Sequence, residues 1–126
     1  MKKKIFIVDD NPEVTLSVKQ ALEYLNPTEY NVICVESGKK CLELLQAQQI
    51  PDLILLDNMM PRMSGWRLSE RLRWNTLLKN IPVVFLTART DEFAKKGSYL
   101  VCDDYIEKPF DMEDLQKRIN MILQKN

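Results

Sequence analysis

Histidine is absent from this chain, and that absence removes several chemistries at once. There is no imidazole for a zinc site, no Ser-His-Asp triad, and no phosphohistidine carried by the chain itself. Cysteine is sparse and odd in number, at Cys34, Cys41 and Cys102. Widely spaced, the three form neither a secreted disulfide framework nor a CxxC motif, so a reducing cytoplasm is the expected location. All three read as small, mostly buried apolar residues, with a redox role for Cys102 as the alternative. Charge of either sign is lacking in excess, because 18 basic residues balance 18 acidic ones. With no basic tail, nothing drives electrostatic binding to nucleic acid. No apolar run nears the roughly 18 residues of a membrane span. Met1-Lys2-Lys3-Lys4 is basic, but Asp9 and Asp10 interrupt the apolar stretch that a signal peptide requires.

What is present fits one α/β domain. The chain has 126 residues, 45% hydrophobic and 29% charged, which is enough to bury a real core. Five apolar runs stand out: Ile5 to Val8, Tyr30 to Val35, Leu53 to Leu56, Ile81 to Leu86, and the weaker Tyr105-Ile106. Helical periodicity fills the gaps. Asn11-Pro12 reads as cap and first turn, followed by Val14, Val18, Ala21, Leu22 and Leu25 on one face. Ser37 precedes a helix carrying Cys41, Leu42, Leu44 and Leu45, and Ser64-Gly65 opens a third with Leu68 and Leu72. Asp111 caps the last, with Met112, Leu115, Ile119, Ile122 and Leu123. A helix within Asp91 to Leu100 is weakly written, with Gly97 inside it. Five alternations of strand and helix predict a doubly wound fold, a parallel sheet covered on both faces. No linker or internal repeat divides the chain.

In such sheets ligands bind beyond the carboxyl ends of the strands. Those ends carry Asp9-Asp10, Asp57 and Thr87, and Lys108 follows the fifth run. Alone, each has a plain reading: a helix cap, a strand end, a solvated lysine. Together they predict one crevice with three carboxylates, a hydroxyl and an ammonium. Two carboxylates about 4 Å apart repel by roughly 4 kcal/mol at an effective dielectric of 20. Such a cluster calls for a cation or for raised pKa values. Oxygen ligands without Cys or His favour a hard divalent ion such as Mg2+, and Lys108 and Thr87 could serve phosphoryl oxygens.

These residues resemble a known family. Ile7-Val8-Asp9-Asp10-Asn11, Leu55-Leu56-Asp57 with Met60-Pro61 and Gly65, Leu86-Thr87-Ala88, and Asp104-Tyr105-Ile106-Glu107-Lys108-Pro109-Phe110 are similar to the receiver domain of two-component response regulators. The resemblance spans essentially the whole chain. It implies a (βα)5 sandwich with strand order 2-1-3-4-5. It also implies that Asp57 accepts a phosphoryl group from the phosphohistidine of a histidine kinase or phosphotransfer protein. Mg2+ would be held by Asp10 and Asp57, by Asp9 through water, and by the backbone carbonyl of Met59. Thr87 and Lys108 would hold phosphoryl oxygens, with Thr87 and Tyr105 as switch residues and a cis Lys108-Pro109 bond aiming the lysine. Arg89 and Met59 would tune the lifetime of the phosphorylated form.

By the same resemblance, the fourth helix, fifth strand and fifth helix form the output face and allow a homodimer. Val101-Cys102 stands where many relatives have Gly-Ala, and the stretch from Thr87 to Lys108 looks one residue short. A short or mobile segment over residues 91–102 is therefore expected. The acidic run from Asp103 to Asp114 reads as a solvated face, with a site for a basic partner as the alternative. Residues 1–126 are expected to form one stand-alone receiver without an output domain, acting on a separate protein target. Three other readings compete. An Asp-nucleophile phosphatase would want a second acid at Met59, and a flavodoxin-type binder would want a phosphate loop after the first strand. A pseudo-receiver would not need every residue of the cluster.

Overall fold

The computed structural model describes residues 2–57, 60, 62–87 and 103–124, without the side chain of Thr87. Strands β1 (Lys3–Val8), β2 (Tyr30–Val35), β3 (Leu53–Asp57), β4 (Val83–Thr87) and β5 (Asp104–Glu107) pair in parallel in the order β2-β1-β3-β4-β5. Among the described residues the helices are α1 (Pro12–Leu25), α2 (Gly38–Gln46), α3 (Gly65–Arg73) and α4 (Met112–Gln124). The helix expected within residues 91–100, with Arg89 and Cys102, lies outside the described residues. The fold class and strand order are those expected.

The continuous apolar runs of β1 and β3 follow from their central place. Ile5 to Val8 and Leu53 to Leu56 are all fully buried. Side chains alternate across a strand, so Phe6, Val8, Ile54, Leu56 and Phe85 meet α2 and α3, while Ile5, Ile7, Leu53, Leu55 and Leu86 meet α1 and α4. Each such side chain contributes about 1.5–3 kcal/mol on burial. The caps also match. Asn11, Ser37, Ser64 and Asp111 each accept a hydrogen bond from a first-turn backbone N–H, at 3.0, 3.0, 3.2 and 3.0 Å.

Two expectations need correction. Leu25 is 40% exposed, and Thr15 takes a buried place on α1 because its Oγ1 donates to the Pro12 carbonyl. Cys41 is buried, but Cys34 is exposed. It sits near the carboxyl end of the edge strand β2, beside the first turn of α1. The acidic run is largely solvent-facing, as expected, and an arginine is anchored on it. Arg118 reaches Asp104 at 3.5 Å and Asp114 at 3.4 Å, and donates to the Tyr105 carbonyl.

Asp103 has a further role. One of its oxygens accepts from the Val83 N–H at 2.7 Å and from Arg73 Nη2 at 2.8 Å, while its own N–H donates to the Val83 carbonyl. It thereby ties the starts of β4 and β5 to the end of α3. Asp103→Ala leaves the Val83 N–H without its acceptor and should lower stability by about 1–2 kcal/mol in urea melts. An unchanged midpoint would refute this role.

Candidate functional site

The parallel register brings the strand ends together. Val8 pairs with Leu56, Asp57 with Leu86, and Thr87 with Glu107, so the residues that follow emerge at one edge of the sheet. The Asp9 N–H continues the ladder by donating to the Val35 carbonyl at 3.1 Å. Carboxylate oxygens of Asp9, Asp10 and Asp57 lie within 4.8 Å of one another. Asp9 and Asp57 are buried, whereas Asp10 faces solvent. Lys108 Nζ stands 3.6 Å from Asp9 Oδ2 and 3.6 Å from Asp57 Oδ1. The Lys108-Pro109 bond is cis, as expected.

The acidic pair after β1 has the structural role of a turn as well. Asp9 Oδ1 accepts from the Asn11 N–H at 3.0 Å, which sets up the entry into α1. Its other oxygen is different. Oδ2 is buried and has no hydrogen-bond partner among the described residues. Burial pushes the Asp9 carboxyl above its ordinary pKa, and the Asp57 charge adds to the rise; the Asn11 N–H and Lys108 oppose it. Charges 4.8 Å apart cost about 3–4 kcal/mol per pair at an effective dielectric of 20, and one ammonium cannot offset three carboxylates.

This donor set fits Mg2+. It is all oxygen, it is anionic, it has a solvent-facing member in Asp10, and its buried Asp9 Oδ2 accepts no hydrogen bond among the described residues. Met59 lies outside the described residues, so its carbonyl is not part of this fit. Thr87 ends β4 at the same edge, though its side chain is not described. Tyr105 lies on β5 opposite Phe85, half-buried against the core on the α2–α3 side.

Sequence reasoning missed two features here. A cavity of about 280 Å³ beside the carboxylates is lined by Asp9, Asp10, Thr15, Cys34, Glu36 and Lys40. The last three come from the end of β2 and from α2, which no motif marks. Arg118 was also missed, although its i, i+4 spacing from Asp114 was a readable signal.

Comparison with known proteins agrees with the geometry. The sequence matches the response regulator receiver domain family over residues 5–120. It is 38% identical over 120 residues to the transcriptional regulatory protein CrdR of Helicobacter pylori, covering 94% of this chain and 54% of that protein. It is 35% identical to the alkaline phosphatase synthesis transcriptional regulatory protein PhoP of Bacillus subtilis, covering 100% of this chain and 50% of the relative. The chain thus spans about half the length of these curated relatives. Among solved structures, the signal receiver domain of a histidine kinase from Syntrophus aciditrophicus superposes with a TM-score of 0.87 at 30% identity, covering 98% of this chain and 91% of that one. The chemotaxis protein CheY4 of Vibrio cholerae gives 0.82 at 27% identity, over 97% and 99%. Sheet order, acidic crevice and family match agree, and the chain belongs to the response regulator receiver domains of two-component signalling systems.

Proposed function

We propose that residues 1–126 act as a phosphorylation-operated switch in which Asp57 is the phosphoryl acceptor. The observation that carries this reading is the Lys108 ammonium, 3.6 Å from both Asp9 and Asp57 at the carboxyl edge of the sheet. The donor is a phosphohistidine on a histidine kinase or phosphotransfer protein. A carboxylate oxygen of Asp57 attacks phosphorus, an O–P bond forms, the N–P bond breaks, and the imidazole leaves with a proton from solvent. Asp10 and Asp57 would hold Mg2+ directly, Asp9 through water, with the Met59 carbonyl as a further ligand. Bound there, Mg2+ would offset the negative charge gathering on the phosphoryl oxygens. Lys108 would supply a fixed positive charge to the phosphoryl group, and the Thr87 hydroxyl would donate to a remaining oxygen.

The added charge of an acyl phosphate acts at the end of β4, with Thr87 and Tyr105 carrying the change toward the face around β5 and α4. A separate protein target reads that face, and the domain turns over only its own phosphoryl group. The Cys34 and Cys41 thiols are unpaired, which suits the cytoplasm. None of the described helices is long and apolar enough to cross a membrane.

The test is intact mass after incubation with Mg2+ and acetyl phosphate. Wild type should gain one phosphoryl group, which chelation of Mg2+ prevents. Asp57→Asn should gain none, while keeping the fold seen by circular dichroism. An adduct that survives in Asp57→Asn would refute the assignment.

A further inference from the structure

A second surface lies at the opposite end of the sheet. Helix α3 buries Gly65, Leu68, Ser69 and Leu72 and turns the opposite face outward. That outer stripe is Arg67, Glu70, Arg71 and, at the cap, Trp74, spaced i, i+3, i+4 and i+7. It lines a groove of about 1100 Å³ together with Leu42 and Leu45 of α2 and with Leu77 just past α3. Trp74 is 86% exposed and Leu77 90% exposed, an unusual apolar display for a solvent-facing surface. Among the described residues, Arg67, Glu70 and Arg71 have no ion-pair partner.

We propose that this face pairs two copies of the chain around a two-fold axis, with α3 packed antiparallel on α3 of the second copy. The argument is the order of the stripe. An isologous contact requires a surface complementary to itself. With the axis between positions 70 and 71, Glu70 of each copy faces Arg71 of the other, and Arg67 faces Trp74. Each contact occurs twice. Glu70 and Arg71 neutralise one another across the axis, and the Arg67 guanidinium lies over the Trp74 indole, a favourable cation–π arrangement. Leu77, which projects just beyond α3, comes opposite Ser64 at the start of the second copy's α3 and adds apolar contact at each end of the pair. Trp and Arg are also the residue types that most often dominate association energy. An acidic peptide would satisfy the arginines but would leave Glu70 opposed by like charge. The groove lies where α2 and α3 end, at the amino ends of the strands, away from Asp9, Asp10 and Asp57. Pairing through it therefore needs no phosphorylation.

Sedimentation equilibrium on the full chain, without Mg2+ or phosphodonor, should show a monomer–dimer equilibrium in the micromolar range. Leu77→Asp and Trp74→Ala should each weaken it by about tenfold or more. Glu70→Arg alone places four cations at the axis, and Arg71→Glu alone four carboxylates, so each should also cost about tenfold. The double variant Glu70→Arg/Arg71→Glu regenerates both pairs and should return to near wild-type affinity. Arg71, Trp74 and Leu77 face solvent and Glu70 is half-buried, so circular dichroism should change little, and the charge exchange remains decisive if Trp74→Ala folds poorly. A chain that stays monomeric throughout overturns the proposal. So does a dimer that ignores these changes and is lost on substitution around β5 and α4, or a double variant no better than the single ones.

Discussion

Replacing Lys108 with methionine is expected to slow phosphoryl uptake at Asp57 by about 10²–10³-fold, with the fold intact. The lysine is the cation shared between two buried carboxylates, at 3.6 Å from each. Methionine keeps the length and much of the volume of the side chain but removes the charge. Two effects then act in the same direction. The Asp9–Asp57 repulsion loses its nearest counter-charge, which favours protonation of Asp9. The incoming phosphoryl group also loses a fixed donor for its developing charge. Arginine should not restore the rate, because its planar fork does not fit where a compact ammonium sits between two oxygens. The measurement is the time course of adduct mass with acetyl phosphate at saturating Mg2+. A rate within a fewfold of wild type would remove Lys108 from the chemistry.

The fold was legible where one signal sufficed. Ile5 to Val8 and Leu53 to Leu56 lack alternation because both of their faces are covered, and both strands are central. The four caps were readable because a polar side chain before an apolar stripe has few other uses. The carboxylate cluster was legible only through topology, since Asp9, Asp57 and Lys108 are far apart in sequence and meet through the parallel register. Packing against distant segments was not readable. Cys34 looks like any β-strand cysteine, and only its place at the end of an edge strand exposes it. Asp103 looks like one acid in an acidic run until β4 and α3 meet it. The stripe on α3 reads as ordinary helix surface; its self-complementary order matters only once Trp74 and Leu77 are seen to be exposed beside a groove.

Asp9→Asn should reverse the usual relation between a site and stability. Asp9 is only 3% exposed, and its Oδ2 has no hydrogen-bond partner among the described residues. Burial and the Asp57 charge outweigh the Lys108 ammonium at 3.6 Å, so the ionised side chain opposes folding when no metal ion is bound. Asparagine keeps the shape and keeps an oxygen for the Asn11 N–H. Its amide also offers donors to the Asp57 carboxylate. Without Mg2+ the variant should therefore be more stable than wild type by about 0.5–2 kcal/mol. The sign with pH follows from the raised pKa of Asp9. The wild-type penalty is full at pH values above that pKa and disappears as the carboxyl protonates on acidification. The variant's advantage should thus be largest near neutrality and vanish in acid. With Mg2+ the order inverts. An ion at about 100 times its Kd adds about 2.7 kcal/mol to wild type. Loss of a supporting carboxylate typically weakens metal binding by about 10–100-fold, so the variant should gain much less. Thermal melts with and without Mg2+ should therefore cross, Asn above Asp in chelator and Asp above Asn in saturating Mg2+. Melts that fail to cross, with Asp9→Asn either less stable in chelator or equally stabilised by Mg2+, would show that the buried carboxylate is held for packing rather than for a cation.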